Sequence, residues 1–377
     1  MAPFSSDTSA GESPATAGGG AVDGGSAATV HRIAVLPGDG VGPEVVAEAV
    51  KVLRAAEHRE AGLSLELTEH AVGAGAYLKL GDPLPPATFE ACRSADAILL
   101  GAMGLPDVRW PDGREMAPQI DLREKLELYC GLRPIRLYHR DDTPLKHVRQ
   151  IDFALIRENT EGLFSTRERY TDDRDTARDE LLVTRRASER LFHAAFKEAQ
   201  RRQGRLTLVD KANVLPSMVL FRAIFDEVAK QYPDVETDRV YVDAMALYLV
   251  QRPERFDVMV TENMFGDILS DLAAGLVGGM GMAPSGDIGD RHAVFQPSHG
   301  TAPDIAGQGK ANPIATIVSA AMMLDWLGSP PARAAGQRID AAVNQVLADP
   351  ANRTPDVRGT LTTTDLGDLV AQAVLTG

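Results

Sequence analysis

Asp267 and Asp271 stand four residues apart in Asn263-Met264-Phe265-Gly266-Asp267-Ile268-Leu269-Ser270-Asp271. On a helix that spacing puts both carboxylates on one face. Like charges so placed repel by roughly 0.2–0.5 kcal/mol, and a divalent cation would reverse the sign. Hard carboxylate oxygens suit Mg²⁺ or Mn²⁺. A third acid, Asp243, lies among apolar neighbours in Tyr241-Val242-Asp243-Ala244-Met245, where an unpaired charge is expensive. The three form a candidate metal set. Taken singly they read equally well as a helix cap and surface acids.

Lys211 follows a strand-like run in Val209-Asp210-Lys211-Ala212-Asn213. A lysine at a strand end beside apolar residues can serve proton transfer, or it can be an ordinary surface charge. Arg123, Arg133 and Arg157 have guanidiniums suited to gripping carboxylates through two parallel hydrogen bonds. Together with an acidic metal set they imply a substrate with two or more carboxylates. His299 sits in a Gly- and Pro-rich stretch, with no second histidine at zinc-ligand spacing.

These residues need elements to hold them. Arg32–Pro37 reads as a buried strand, followed by the glycine turn GDGVGPE at 38–44 and a helix carrying Val46, Val50 and Leu53. The turn is not the G-x-G-x-x-G dinucleotide fingerprint and lacks the Lys-Ser/Thr of a phosphate loop. Further buried strands are expected at 95–101, 153–156, 206–209 and 257–261. Leu122, Leu126 and Tyr129 mark a short helix. Others are expected near 186–203, 216–231, from 265, 312–327 and 337–348. Strands alternating with helices predict an α/β fold around a large, mostly parallel twisted sheet.

The 377 residues carry 53 acids against 39 Lys and Arg, a net charge of −14. That disfavours nucleic acid and anionic membranes as partners. No apolar run approaches the about 18 residues of a membrane span. Two cysteines, Cys92 and Cys130, fit a reducing compartment rather than a disulfide scaffold. Residues 1–30 are rich in Gly, Ala and Ser and hold no Lys or Arg. They read as a disordered tail with no secretory or transit signal, which points to the cytoplasm.

The motifs also occur as an ordered set: GDGVGPE at 38–44, LREKLELYCGLRP at 122–134, RENTEG at 157–162, DKANVL at 210–215, YVDAMA at 241–246, NMFGDILSD at 263–271 and HGTAPDIAGQGKANP at 299–313. As a set they resemble the β-decarboxylating dehydrogenases, the isocitrate/isopropylmalate dehydrogenase family, and most of all its 3-isopropylmalate dehydrogenase-like members. The resemblance runs from about His31 to the C-terminus. It implies the isopropylmalate dehydrogenase-like fold in two lobes: a cofactor lobe of 31–128 plus 278–377, and a substrate, metal and dimerisation lobe of 129–277. It implies that Arg123, Arg133 and Arg157 hold the carboxylates of a malate core, with Gln119 toward the substrate's side group. Asp243, Asp267 and Asp271 would bind Mg²⁺ or Mn²⁺. Lys211 would transfer protons and Asn213 would lie near the nicotinamide. Lys211 and Asp243 would reach into a partner's site, so a homodimer or an assembly of dimers is expected. His299 and Asn312 would contact adenine, with Gly300, Thr301 and Ala302 along the cofactor path. Asp304 and Ile305 follow HGTAP; a carboxylate there would repel a 2′-phosphate, which predicts NAD.

Three departures from the family pattern stand out. Phe164 replaces the family's catalytic tyrosine, seven residues beyond Arg157; Tyr170, Lys211 or water would have to supply its proton. Residues 116–120, Met116-Ala117-Pro118-Gln119-Ile120, are expected to line the side-group pocket and match neither the isopropylmalate nor the isocitrate pattern. Gln296 stands where a Glu is usual. The expected activity is oxidative decarboxylation of a 3-substituted (2R)-malate, 3-isopropylmalate first. Isocitrate, homoisocitrate, tartrate and D-malate are alternatives, as is a non-catalytic regulatory subunit of the same fold.

Overall fold

The structure is a computed structural model and describes residues 29–377. All but the last two positions of the tail expected over 1–30 lie outside the described residues. Thr29 and Val30 already belong to the first strand, paired with Leu63 and Ser64.

The strands are β1 (Thr29–Gly38), β2 (Leu63–Glu69), β3 (Ala97–Ala102), β4 (Cys130–Arg136), β5 (Asp152–Glu158), β6 (Thr171–Asp172), β7 (Ala177–Arg178), β8 (Arg205–Asp210), β9 (Glu236–Tyr241), β10 (Val258–Thr261), β11 (Pro284–Ile288) and β12 (Ala293–Pro297). Ten of them form one sheet in the order β2-β1-β3-β12-β11-β4-β5-β10-β8-β9, and β6 and β7 make a separate small hairpin. Pairing is parallel on both flanks. It is antiparallel only at the centre, across β12-β11, β11-β4 and β4-β5. One half of the sheet comes from segments 29–102 and 284–297, the other from 130–261.

Alternation along each strand builds a core on both faces. On one face, Ile33, Val35, Leu99, Ala154 and Ile156 pack with the helices Gly42–Arg59, Arg185–Arg201 and Ile314–Leu327. Their neighbours point the other way: Ala34, Leu36, Ile98 and Leu100 into one cluster, Phe153 and Leu155 into another with Leu269 and Ala273 of the helix Asn263–Leu276. The helix expected around 122–129 is instead Pro118–Lys125. Pro118 starts it, and Glu127, at φ +51°, turns the chain out of it and into β4. The helix expected from 337 begins at Pro330, capped by Ser329.

The glycine turn seats a loop. Gly38 and Gly40 have φ of +75° and +60°. A Cβ on Gly38 would lie 1.9 Å from the Ala102 carbonyl oxygen, and one on Gly40 2.0 Å from that of Thr301. The Val41 amide donates to the Thr301 carbonyl at 2.8 Å. Asp39 accepts from the amides of Ala74, Gly75 and Gly104. The sequence of this turn therefore serves close backbone packing, which fixes the 299–302 segment above the sheet.

Candidate active site

A cavity of about 270 Å³ opens over the antiparallel centre of the sheet. The ends of β3 and β12, the helices Pro118–Lys125 and Asn263–Leu276, and residues of β4, β5 and β11 surround it. Arg123, Arg133 and Arg157 all line it, with Gln119, Phe164, Asp267, Asp271 and His299. The three arginines that the sequence placed on separate segments thus meet in one wall.

Each guanidinium is already held. Arg157 is buried on β5; its Nε donates to Asn263 Oδ1 at 2.9 Å and its Nη1 to Asp267. Its stem crosses the helix at Gly266, where a Cβ would come within 2.6 Å of Arg157 Cγ. Burial and then the charge of Arg123 lower its pKa to about 10, so it stays a cation at neutral pH. Arg123 and Arg133 share Asp287 of β11, through Nε at 2.8 Å and Nη2 at 3.1 Å. Burial pushes the Asp287 carboxyl upward, but the two arginine charges outweigh that and hold it well below the usual carboxylate range.

Asp267 and Asp271 share a face of the helix Asn263–Leu276, one turn apart, as their spacing required. Burial and then Asp267's charge raise the Asp271 carboxyl. Asp243 stands elsewhere. It lies in the first turn of the helix Val242–Gln251, well exposed, and Lys211 Nζ meets its Oδ1 at 2.8 Å. That hydrogen bond lowers the Asp243 carboxyl. Asp243 is thus a paired and solvated charge, not one stranded among apolar side chains. Among the described residues no group of three His, Cys, Asp or Glu side chains gathers as a metal site. One chain brings Asp267 and Asp271 together and leaves Asp243 with Lys211.

Of residues 116–120, Gln119 and Ile120 line the cavity, while Met116 is buried away from it. Phe164 lines it too and lies 5.5 Å from the Arg157 guanidinium. Tyr170 is 53% exposed and outside the lining. Asn213 is exposed on the turn after β8. Ser298, His299 and Gly300 belong to the lining, and Thr301 is buried against the glycine turn. Burial lowers the His299 pKa; Nδ1 sits 2.8 Å from the Gly300 carbonyl, which places the hydrogen there and leaves Nε2 an acceptor. Asp304 is exposed, whereas Ala302 and Ile305 pack on Val41, Val45 and Ala311. Asn312 is buried, its amide engaged by Asp356 and by the Ile314 N–H.

Sequence reasoning missed Asp287, Asn159, Ser285 and Ser298. The acids of RENTEG also have work it did not show. Glu161 accepts from Thr184, which caps the helix Arg185–Arg201. Glu158 accepts from the Thr160 amide and hydroxyl and the Glu161 amide. Burial pushes Glu158 up to about 7. A carboxyl raised on folding stabilises below its unfolded pKa, and that contribution is lost as pH rises through 7. Glu158→Gln removes the charge; its one carbonyl oxygen can still accept from the Thr160 and Glu161 amides, while its amide nitrogen must donate to the Thr160 hydroxyl oxygen, reversing that bond. Thermal unfolding from pH 5 to 8 should show a flatter decline for this variant, with a gain of about 1–3 kcal/mol over wild type at pH 8.

Comparison with known proteins decides what this cavity belongs to. The family model described as isocitrate/isopropylmalate dehydrogenase matches residues 32–370. The chain belongs to the isocitrate/isopropylmalate dehydrogenase family. It is 46% identical to the 3-isopropylmalate dehydrogenase of Moorella thermoacetica over 361 residues, covering 92% of this chain and 100% of that one. It superposes on an isocitrate dehydrogenase from Methylococcus capsulatus with a TM-score of 0.83 at 38% identity, covering 92% and 100% of the two chains. A beta-decarboxylating dehydrogenase from Thermococcus kodakarensis gives 0.76 at 37% identity, covering 91% and 96%. Family membership makes the chain a decarboxylating dehydrogenase, an oxidoreductase. Among the described residues no helix is long and apolar enough to cross a membrane.

Proposed function

We propose that this family member oxidatively decarboxylates a 3-substituted (2R)-malate, 3-isopropylmalate first, with NAD and Mg²⁺ or Mn²⁺. One observation carries the reading: three guanidiniums and the Asp267–Asp271 pair face a single cavity. The residues present fit both absent groups. Asp267 and Asp271 offer hard oxygens whose mutual repulsion a divalent ion would relieve. Gln119 Oε1, Ser285 Oγ, Ser298 Oγ and His299 Nε2 are buried in the lining without a hydrogen-bond partner among the described residues, as a polar ligand would require. The exposed Asp304 favours NAD, because its charge would oppose a 2′-phosphate. When bound, the ion stabilises charge on the substrate's C2 oxygen and the nicotinamide accepts the hydride.

The chain's own groups do the rest. Arg123, Arg133 and Arg157 orient the two carboxylates, and Ile120 and Phe164 offer the side group an apolar wall. Lys211, seated by Asp243, moves protons in a partner's cavity, to which Asp243 also adds its carboxylate. Exposed Val214, Val219, Leu220, Leu247, Val250 and Ile268 lie on the same segments as Lys211, Asp243 and the Asp267–Asp271 pair, which supports a homodimer formed through that face. In this reading 31–128 with 278–377 is the cofactor lobe and 129–277 the substrate lobe. Phe164 has no hydroxyl, so the C3 proton comes from Lys211 or water; Tyr170 would have to move with its loop to reach it. Two buried, unpaired cysteines accord with a cytoplasmic setting.

A second reading, isocitrate as substrate, is favoured by Gln119 on the wall but needs a further cation for the third carboxylate. The test is a panel of (2R)-2-hydroxy di- and tricarboxylates with Mn²⁺ and either NAD or NADP. The highest kcat/KM is expected for 3-isopropylmalate with NAD. No reduced cofactor from any acid would overturn the catalytic reading and leave the regulatory subunit.

A further inference from the structure

Asp287 is buried directly behind the cavity wall, bonded to Arg123, Arg133 and Gln296 of its lining, and nothing in the proposed chemistry uses it. Its carboxylate is 1% exposed. Oδ1 accepts from Arg133 Nη2 at 3.1 Å and Asn159 Nδ2 at 2.8 Å; Oδ2 accepts from Arg123 Nε and Gln296 Nε2, both at 2.8 Å. Four donors fill the lone-pair sites of a carboxylate. The strands are arranged around this contact. Asp287 on β11 lies opposite Gly131 on β4, and a Cβ on Gly131 would sit 2.7 Å from Asn159 Oδ1. The missing side chain gives the Asn159 amide its place. Gln296 must be neutral, since a Glu there would set a second carboxylate against the first.

We propose that Asp287 is a specificity-determining residue: a built-in counter-carboxylate that fixes the positive charge of the arginine wall and so selects dicarboxylates over tricarboxylates. Three guanidiniums face three carboxylates: Asp287 contacts Arg123 and Arg133, Asp267 contacts Arg157, and Asp271 lines the cavity one helical turn beyond Asp267. Their formal charges cancel. Without Asp287 one positive charge would be left, with no other change in the wall, and it would be matched by one more carboxylate on the ligand. A bound divalent ion contributes equally in both cases and drops out of the comparison. Unbalanced charge in a desolvated pocket is costly, so one charge of difference separates ligands that differ by one carboxylate. Asp287 and Gln296 form one unit in this account: they place the negative charge on β11 and a neutral donor on β12.

This deepens the proposed function and rests on it for the identity of the ligand class, so the test reads binding as well as turnover. Succinate and tricarballylate, which cannot be oxidised by this chemistry, are titrated calorimetrically into the full-length dimer with Mn²⁺. The kcat/KM ratio of isocitrate to 3-isopropylmalate is measured in parallel. Asp287→Asn should raise the tricarballylate-to-succinate affinity ratio by about tenfold or more. Each ratio is internal to one variant, so a partial loss of folded protein cancels. The double variant Asp287→Asn, Gln296→Glu returns the negative charge from the neighbouring strand and should bring the ratio back toward wild type. An unchanged ratio in Asp287→Asn, or a double variant that keeps the raised ratio, would overturn the proposal. Wild-type protein that oxidises none of the acids but keeps the binding preference would overturn the proposed activity and leave the role of Asp287 standing.

Discussion

Mixing two inactive variants, Lys211→Met and Asp267→Asn, should restore about a quarter of wild-type activity. Each variant alone is expected to lose on the order of 10²–10⁴ in kcat, the range for removing a proton-transfer group or a charge at the reacting centre. The argument is geometric. Lys211 is paired with Asp243 at 2.8 Å, and neither lines the cavity that holds Arg157 and Asp267. If a second copy completes each cavity, random pairing makes half the dimers mixed, and each mixed dimer has one wholly intact site. Asp267→Asn is the right companion because an amide oxygen still accepts from Arg157, so the arginine keeps its place while the charge is lost. The mixed dimer can be isolated with two affinity tags after co-expression. Isolated mixed dimers no more active than their parents would show that the sites are not shared in this way.

The sequence made the arginine wall legible only in part. Strands such as 33–37, 98–100 and 153–156 could be read because both faces are buried and the residues form apolar runs. β4 could not, because Pro134 in Cys130–Arg136 argues against a central strand, yet it lies opposite Ala154 of β5. β9 is a polar edge strand, and β11 and β12 are five residues each, with Pro and Gly. Missing β11 meant missing Asp287. Its chemistry exists only once β11 lies between β4 and β12, more than 150 residues in sequence from Arg133. Gln296, by contrast, was visible as an unusual residue, but its reason became clear only from the carboxylate it faces. The Asp267–Asp271 pair was legible throughout, since a four-residue spacing fixes a helical face without any tertiary information.

Asp271→Asn should weaken Mn²⁺ binding on the order of 10²-fold and should also flatten its pH dependence. Asp267 already meets the Arg157 guanidinium, so part of its charge is answered from within the chain. Asp271 is pushed up by burial and by Asp267's charge. Protons therefore compete for Asp271 at a higher pH than for an ordinary aspartate, and a cation gains most by displacing them there. For the wild type, Mn²⁺ affinity measured by calorimetry with a bound dicarboxylate should fall as pH is lowered from 7 toward 5. The Asp271→Asn variant should bind weakly at both ends of that range with little slope, because the competing group is gone. Asp267→Asn should weaken binding and keep a pH slope, shifted to lower pH, because burial still raises the Asp271 carboxyl while Asp267's charge no longer does. Wild-type affinity in Asp271→Asn, or a slope that survives only in that variant, would remove Asp271 from the metal set and leave the helix face as a simple pair of surface acids.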